Sequence, residues 1–533
     1  MAPVAGNVGE VANELSQSNG TSAHTRGTAC GPYDTLGETE PREECGVFGV
    51  WAPGEDVSKL SYYGLYALQH RGQEAAGIAV GNGDQIVVFK DLGLVSQVFD
   101  EQSLESLKGH IGLGHTRYST AGGASWENAQ PMFRMAPNGT DVALGHNGNL
   151  VNHQELTLEA ARLGLVDPKT HPSDSDVMCA LLAAAVRDDH SVEESAVELF
   201  SRVRGAFCTL FTDGSALYAV RDPHGVRPLS IGRLPNGGWV IASETAALDI
   251  VGAAFERDVE PGEMIVVDEN GLRSRIIAKA QPKGCVFEYV YLARPDSVIR
   301  GQVVNATRVG IGRSLAKEAP AEGDLVIPVP DSGTPAAVGY AQESGIPFGQ
   351  GLMKNAYVGR TFIQPSQSIR QLGIRLKLNP LRSVIEGKRL IVVDDSIVRG
   401  NTQRALIKML RDAGAAEVHV RIASPPVKWP CFYGIDFASP QELIANTVQQ
   451  DDPVARICDE IGADSLAFVS NEAMIEASGQ PKTQLCSACF DGVYPLGLPN
   501  DNPNSALVRS MQVEHGMNPS ACGTADELDE FVR

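Results

Sequence analysis

VVDDSIVRGNT (residues 392–402) sets the fold of the second half of the chain. A continuous apolar strand ends in two adjacent acids, Asp394 and Asp395. A short loop carrying Gly400 follows, and a helix is expected from about Thr402. Upstream, LVIPVPD (325–331) is another apolar strand, leading into a helix over 333–344. Downstream, a helix over about 402–413 leads into VHVRIASPPV (418–427), a third strand. Buried strands that alternate with helices predict a doubly wound parallel sheet, with ligands at the carboxyl ends of its strands. The loop N–H groups and the helix N-terminus suit a phosphate. Two carboxylates there would repel a bare phosphate, so they must meet sugar hydroxyls or Mg²⁺. The plainer alternative is an acidic strand end that only caps a helix.

Two acids, a hydroxyl residue and then Arg-Gly-Asn-Thr resemble the signature of phosphoribosyltransferases that use phosphoribosyl pyrophosphate (PRPP). The resemblance implies that Ser396, Ile397, Val398, Arg399, Gly400, Asn401 and Thr402 hold the 5′-phosphate. It implies that Asp394 and Asp395 hold the ribose hydroxyls and the metal shell. In the companion loop VPDSGTPAA (329–337) it places Ser332 at the Mg²⁺ site. KNAYVGRTFIQP (354–365) carries Lys354, Tyr357 and Arg360 without strong periodicity. It reads as a solvated loop or as a lid whose cations meet pyrophosphate, with Lys377 in the same role.

The first half has another rhythm. CGVFGVWA (45–52), IVVFKDLG (86–93), HIGLGHTRY (110–118), VALGHNGN (142–149), AFCTLFTD (206–213), ALYAVRD (216–222) and GWVIASE (238–244) read as strands. Helices are expected at about 59–70, 153–164, 174–187 and 192–203, with Asp174 capping the third. This clustering predicts stacked sheets between helical layers. Cys45, on the first strand, reads as an N-terminal nucleophile once the bond after Glu44 is cut. The freed α-amino group, of pKa about 8, would then be the general base. The alternative is a buried structural cysteine.

LQHRGQEAAGI (68–78), GHTRYST (114–120), HNGN (146–149) and SDSD (173–176) decide between the two readings. With Cys45 they resemble a class II glutamine amidotransferase domain. The resemblance implies that Cys45 attacks the glutamine amide. Asn147 and the backbone N–H of Gly148 would form the oxyanion hole. Arg117 would pair with the substrate carboxylate and Asp174 with its α-amino group. Arg71 is read as structural or interdomain, and His115 and His146 as structural.

Cys486-Ser-Ala-Cys489 is a CxxC without a partner CxxC, but Cys285 and Cys431 are isolated in suggestive places. Four thiolates could hold one zinc or a [4Fe–4S] cluster. The same segments resemble the iron–sulfur subgroup of the amidophosphoribosyltransferase family, which implies Cys285, Cys431, Cys486 and Cys489 as cluster ligands in a structural role. Cys30, Cys179, Cys208, Cys458 and Cys522 fall in no motif.

Composition narrows the classes further. The chain has 533 residues, 43% of them hydrophobic, and a formal charge of −21. That charge disfavours nucleic-acid and anionic-membrane surfaces. No apolar run approaches the ~20 residues of a membrane helix. Ten cysteines in so long a chain do not make a secreted disulfide framework. Residues 1–44 lack the marks of a signal or transit peptide and read as a disordered leader, so a cytoplasmic protein is expected. The expected organisation is leader 1–44, amidotransferase domain 45–283, phosphoribosyltransferase domain 284–495 and a polar tail 496–533 with a weak helix in ADELDEF.

The resemblance runs from Cys45 to about Pro495. It implies an N-terminal-nucleophile αββα sandwich followed by a type I phosphoribosyltransferase domain, with one Mg²⁺ and one [4Fe–4S] cluster per subunit. The implied substrates are glutamine and PRPP, giving 5-phosphoribosylamine, pyrophosphate and glutamate, the committed step of purine synthesis. A homotetramer inhibited by purine nucleotides is also implied. Other glutamine-dependent synthases fit less well. A sugar isomerase partner has no use for VVDDSIVRGNT, and the SGGxDS of an ATP-dependent partner is absent. A PRPP-sensing regulator would be expected to lose Cys45 or to gain a basic surface.

Overall fold

Cys45 stands at the start of the first strand in the computed structural model, which describes residues 45–118, 125–355, 377–435, 439–447, 452–500 and 502–517. Thirteen strands build two antiparallel sheets in the first half. They are β1 (Gly46–Trp51), β2 (Ala75–Gly81), β3 (Ile86–Leu92), β4 (Ile111–Arg117), β5 (Met132–Met135), β6 (Asp141–Leu150), β7 (Gly205–Thr212), β8 (Leu217–Arg221), β9 (Ser230–Arg233), β10 (Trp239–Ala242), β11 (Ala254–Asp258), β12 (Glu263–Asp268) and β13 (Gly271–Ile276). One sheet runs β11-β9-β10-β1-β4-β2-β3 and the other β13-β12-β8-β7-β6-β5.

The pleat sorts the side chains. Val47 joins Leu113, Ala143, Leu210 and Ile265 between the sheets. Phe48 and Val50 turn outward onto Leu65 and Leu68 of the α1 side, α1 being Val57–Ala67. On the far face, Leu144, Phe207 and Phe211 pack against α2 (Asp174–Ala185) and α3 (Val192–Phe200). The result is the expected αββα sandwich. One detail differs from the sequence reading. Ser173, not Asp174, caps α2, because its extended backbone lets the hydroxyl accept from the Asp176 N–H at 3.2 Å. Asp174 is the first helical residue.

The second half contains α4 (Val304–Glu318), β14 (Leu325–Pro328), α5 (Thr334–Ser344), β15 (Arg389–Asp394), α6 (Asn401–Asp412), β16 (Glu417–Ile422) and β17 (Ser465–Phe468). The four strands form a parallel sheet in the order β14-β15-β16-β17. Val326, Ile391 and Val393 pack on one face, Ile327, Leu390 and Val392 on the other, so the sheet is buried on both sides. The expected strand over 418–427 stops at Ile422, and Pro425 and Pro426 just beyond it bring no N–H to a ladder.

The polar tail holds a helix that the sequence reading missed, α7 (Pro503–Glu514). Asn502 caps it and Pro503 opens it, and Val508 and Gln512 are buried. ADELDEF and the leader lie outside the described residues. Everything described belongs to one compact unit, and Ala206 and Val226 of the first half share a core cluster with Phe287 and Tyr433 of the second. Among the described residues, no helix is long and apolar enough to cross a membrane.

Candidate active sites

Cys45 is buried at the edge of the sandwich, its Sγ 3.5 Å from the Tyr118 carbonyl at the end of β4. Register pairs Gly46 with Thr116, so Arg117 stands beside the nucleophile on the neighbouring strand. Arg117 is itself buried, 4.0 Å from the Glu74 carboxylate. The other sheet supplies HNGN from β6. Asn147 is fully buried, and neither end of its side-chain amide has a hydrogen-bond partner. Leaving a buried amide unsatisfied costs about 1–3 kcal/mol, so such a group points to a ligand that completes it. Gly148 has φ +141°, and a Cβ there would lie 2.0 Å from the Ala206 carbonyl oxygen. Only glycine fits that close approach.

His115 ties the two motifs together. Its Nε2 is 2.9 Å from the His146 carbonyl across the sandwich, and burial drives its pKa down to about 3. It is a neutral bridge, as a structural histidine should be. His146 lies 3.6 Å from Asp174. Burial pushes the Asp174 carboxyl up, but the neighbouring imidazole outweighs it and the pKa falls to about 2. A carboxylate at the start of α2, with Oδ2 lacking a hydrogen-bond partner, suits an ammonium group. Cys45, Arg117, Asn147, Gly148 and Asp174 therefore all fall at the ends of β1, β4 and β6 and the start of α2.

The phosphate loop leaves β15 as expected. The Asp395 N–H donates to Asp394 Oδ1 at 2.9 Å, and the Ser396 hydroxyl donates to Asp395 Oδ1 at 2.6 Å. Gln403 Nε2 holds the other Asp394 oxygen. Ile397 and Val398 bury their side chains, so only their backbone can face a phosphate. Gly400 caps α6, which begins at Asn401 rather than Thr402. Arg399 turns to Glu442 at 3.3 Å. The companion loop closes on this one: a Cβ on Gly333 would lie 2.5 Å from the Val393 carbonyl and 3.1 Å from Asp394 Cα. Ser332 is half-buried beside it. Lys354 pairs with Asp331 at 2.5 Å, and its strand partner is Leu378, next to Lys377. Tyr357 and Arg360 lie outside the described residues.

A glutamine amidotransferase domain family matches residues 115–249, and a phosphoribosyl transferase domain family matches residues 310–424. Amidophosphoribosyltransferase of Mycobacterium tuberculosis (strain H37Rv) is 64% identical over 508 residues, 95% of each chain. That of Synechococcus elongatus is 50% identical over 475 residues, covering 88% of this chain and 94% of its own. The chain belongs to the amidophosphoribosyltransferase family. The solved Bacillus subtilis glutamine PRPP amidotransferase, complexed with ADP and GMP, aligns with a TM-score of 0.79 at 42% identity, over 87% of this chain and 100% of that one. As a family member, the protein is an enzyme of the first step of purine biosynthesis, joining an amidotransferase domain to a phosphoribosyltransferase domain.

The four motif cysteines of this family member converge. Cys285 and Cys486 are register partners on short parallel strands. Cys489 lies one turn on, its carbonyl accepting from the N–H groups of Lys428 and Trp429 just before Cys431. Burial pushes the Cys489 thiol well up, and the charges of Cys285, Cys431 and Cys486 push it further. None of the four is in a disulfide. Among the described residues, no group of three or more His, Cys, Asp or Glu is arranged to hold a single metal ion.

Sequence reasoning missed a buried charge network between the two domains. Arg71 bonds Glu244 and reaches Glu288 at 2.6 Å. Arg227 faces the same Glu288 at 3.5 Å. His70 and Ser297 both reach Glu244 at 2.6 Å. Arg71 is thus interdomain. Glu244 and Glu288 are lone charges in apolar stretches, which could have flagged them, whereas Arg227, in RDPHGVRPLS (221–230), carries no such signal.

Proposed function

We propose that Cys45, Asn147, Gly148, Arg117 and Asp174 form the glutaminase site, and that residues 394–402 with Ser332 bind PRPP. The unpartnered amide of fully buried Asn147, on the sheet that faces the one Cys45 opens, is the observation that carries this reading. Arg117 grips the glutamine carboxylate and Asp174 its ammonium, which orients the side-chain amide toward Cys45. The Cys45 thiol passes its proton to its own α-amino group and attacks the amide carbon. Asn147 Nδ2–H and the Gly148 N–H receive the oxyanion, a contribution of about 3–4 kcal/mol per donor. The protonated amine then gives its proton to the departing nitrogen, releasing ammonia. Water hydrolyses the glutamyl thioester to glutamate. Ammonia forms its bond to C1 of the ribose as pyrophosphate leaves.

Mg²⁺, held by Ser332, Asp394 and Asp395 through the ribose hydroxyls and waters, would neutralise the leaving pyrophosphate. Asp394 is fixed beforehand by Gln403 and the Asp395 N–H, and Asp395 by the Ser396 hydroxyl, which suits hydroxyl recognition. The four cysteines would be the thiolate ligands of a [4Fe–4S] cluster, in a structural role. Such a centre would tie residues 285, 431 and 486–489 together. Purine nucleotides are the expected inhibitors, in keeping with the ADP and GMP bound by the Bacillus relative. A cytoplasmic homotetramer completes the proposal.

Two measurements test its parts. Edman sequencing of active protein should begin at Cys45, because cutting the Glu44–Cys45 bond makes the base. Met1 or Ala2 on fully glutamine-active protein would sink this. Anaerobically purified protein should be brown with about four irons per chain. Colourless, fully active protein with stoichiometric zinc would overturn the cluster.

A further inference from the structure

Arg227 lies far from any motif, yet it is one of the largest fully buried side chains. Its backbone is fixed from the amidotransferase side. The Arg227 carbonyl accepts from Arg221 Nε at 2.9 Å and from the Cys208 thiol at 3.5 Å. Cys208 is the register partner of Asn147. The Arg227 guanidinium reaches the other way. Nε and Nη2 both donate to the Tyr433 carbonyl, at 3.2 and 2.8 Å.

The segment it grips, Phe432–Gly434, presses on the end of β6. Asn149 Nδ2 donates to the Phe432 carbonyl at 2.9 Å. Gly434 has φ +124°, and a Cβ on it would lie 3.4 Å from both Arg227 Nη2 and Gly148 Cα. A segment of the phosphoribosyltransferase domain therefore backs the glycine whose N–H is to meet the oxyanion. Gly148 pairs with Phe207 in the β6–β7 ladder on one side, and at φ +141° near the strand end it meets the Phe432–Gly434 segment on the other. Oxyanion donors are effective only when held in place before the reaction.

We infer that Arg227 is a positioning residue for the glutaminase reaction, clamping the Phe432–Gly434 segment against Gly148 and so adding to the rigidity of the oxyanion hole across the domain junction. This rests on Gly148 being the oxyanion donor.

The test uses the mature full chain. Arg227→Lys keeps a cation facing Glu288 but loses the two-pronged grip on Tyr433. Asn149→Ala leaves Arg227 untouched and removes the second tie, so it serves if Arg227→Lys fails to fold. Either variant should lower glutamine-dependent kcat by 10-fold or more. The KM for glutamine and the synthesis rate from ammonium should stay within twofold, because neither Arg117 nor the PRPP loop is disturbed. That split marks loss of an interaction made only in the transition state. Unchanged glutamine kcat, or an equal fall with both nitrogen sources, overturns the inference. Asn147→Ala run alongside keeps the two ideas apart: full glutaminase activity in that variant refutes the oxyanion reading itself.

Discussion

Cys45→Ala, in protein that begins at residue 45, should abolish synthesis from glutamine and leave synthesis from ammonium intact. In the proposed division of labour the thiol acts only on the glutamine amide. External ammonium at raised pH, where more of it is unprotonated, bypasses that step. Asp394→Asn with Asp395→Asn should abolish synthesis from both nitrogen sources. These carboxylates are buried at the carboxyl end of β15 and already oriented, Asp394 by Gln403 and the Asp395 N–H, Asp395 by the Ser396 hydroxyl. Losing two charges at a metal-assisted centre costs several kcal/mol of transition-state stabilisation, or factors of about 10² and more. Initial rates with each nitrogen source measure the asymmetry directly. If the Cys45 variant, still folded, lost ammonia-dependent synthesis as completely as the double-Asp variant, the proposed division of labour would be wrong.

The candidate sites could be picked out in the sequence because the chemistry proposed for them needs fixed residue types at short spacing. VVDDSIVRGNT is one strand end, one loop and one helix start, and the parallel sheet places it where it was expected. HNGN and GHTRY are each a strand end. What was not legible depends on contacts between distant segments. Gln403 orients Asp394 from one turn into α6, but a glutamine in an amphipathic helix carries no mark. Arg227 and Glu288 are 61 residues apart and act on each other only after both domains form. The helix α7 looked like polar tail because its apolar residues, Ala506, Leu507, Val508, Met511 and Val513, are set in a segment rich in Asn, Gly and Pro. Its Asn502-Pro503 start was a capping signal that could have been read. The cap of α2 was misplaced by one residue, since Ser173 and Asp174 are both good caps and only the backbone angle decides.

Glu288→Ala should destabilise the whole protein by about 3–5 kcal/mol, the usual cost of removing one partner from a buried ion pair. Glu288 is the shared anion of two buried cations, with Arg71 at 2.6 Å and Arg227 at 3.5 Å. Arg71 keeps Glu244, and Arg227 keeps the Tyr433 carbonyl, a neutral acceptor, but loses the carboxylate it faces. Replacing the whole network by apolar groups need not cost stability, so the effect comes from breaking the set rather than from the pairs themselves. Burial alone would raise the Glu244 carboxyl, but Arg71 and His70 hold it well below its ordinary value of 4.5. A depressed carboxylate contributes its stability above the unfolded value and loses it as pH falls through the folded one. Glu244 should therefore stay ionised at neutral pH and keep its hold on Arg71 there. Urea unfolding measures the cost of Glu288→Ala through the midpoint. The two domains share a core cluster as well as these charges, so the transition should remain single and shift as a whole. A midpoint change worth less than about 1 kcal/mol, the range of an exposed pair, would show that solvent reaches Glu288 and that the domains are not joined through it.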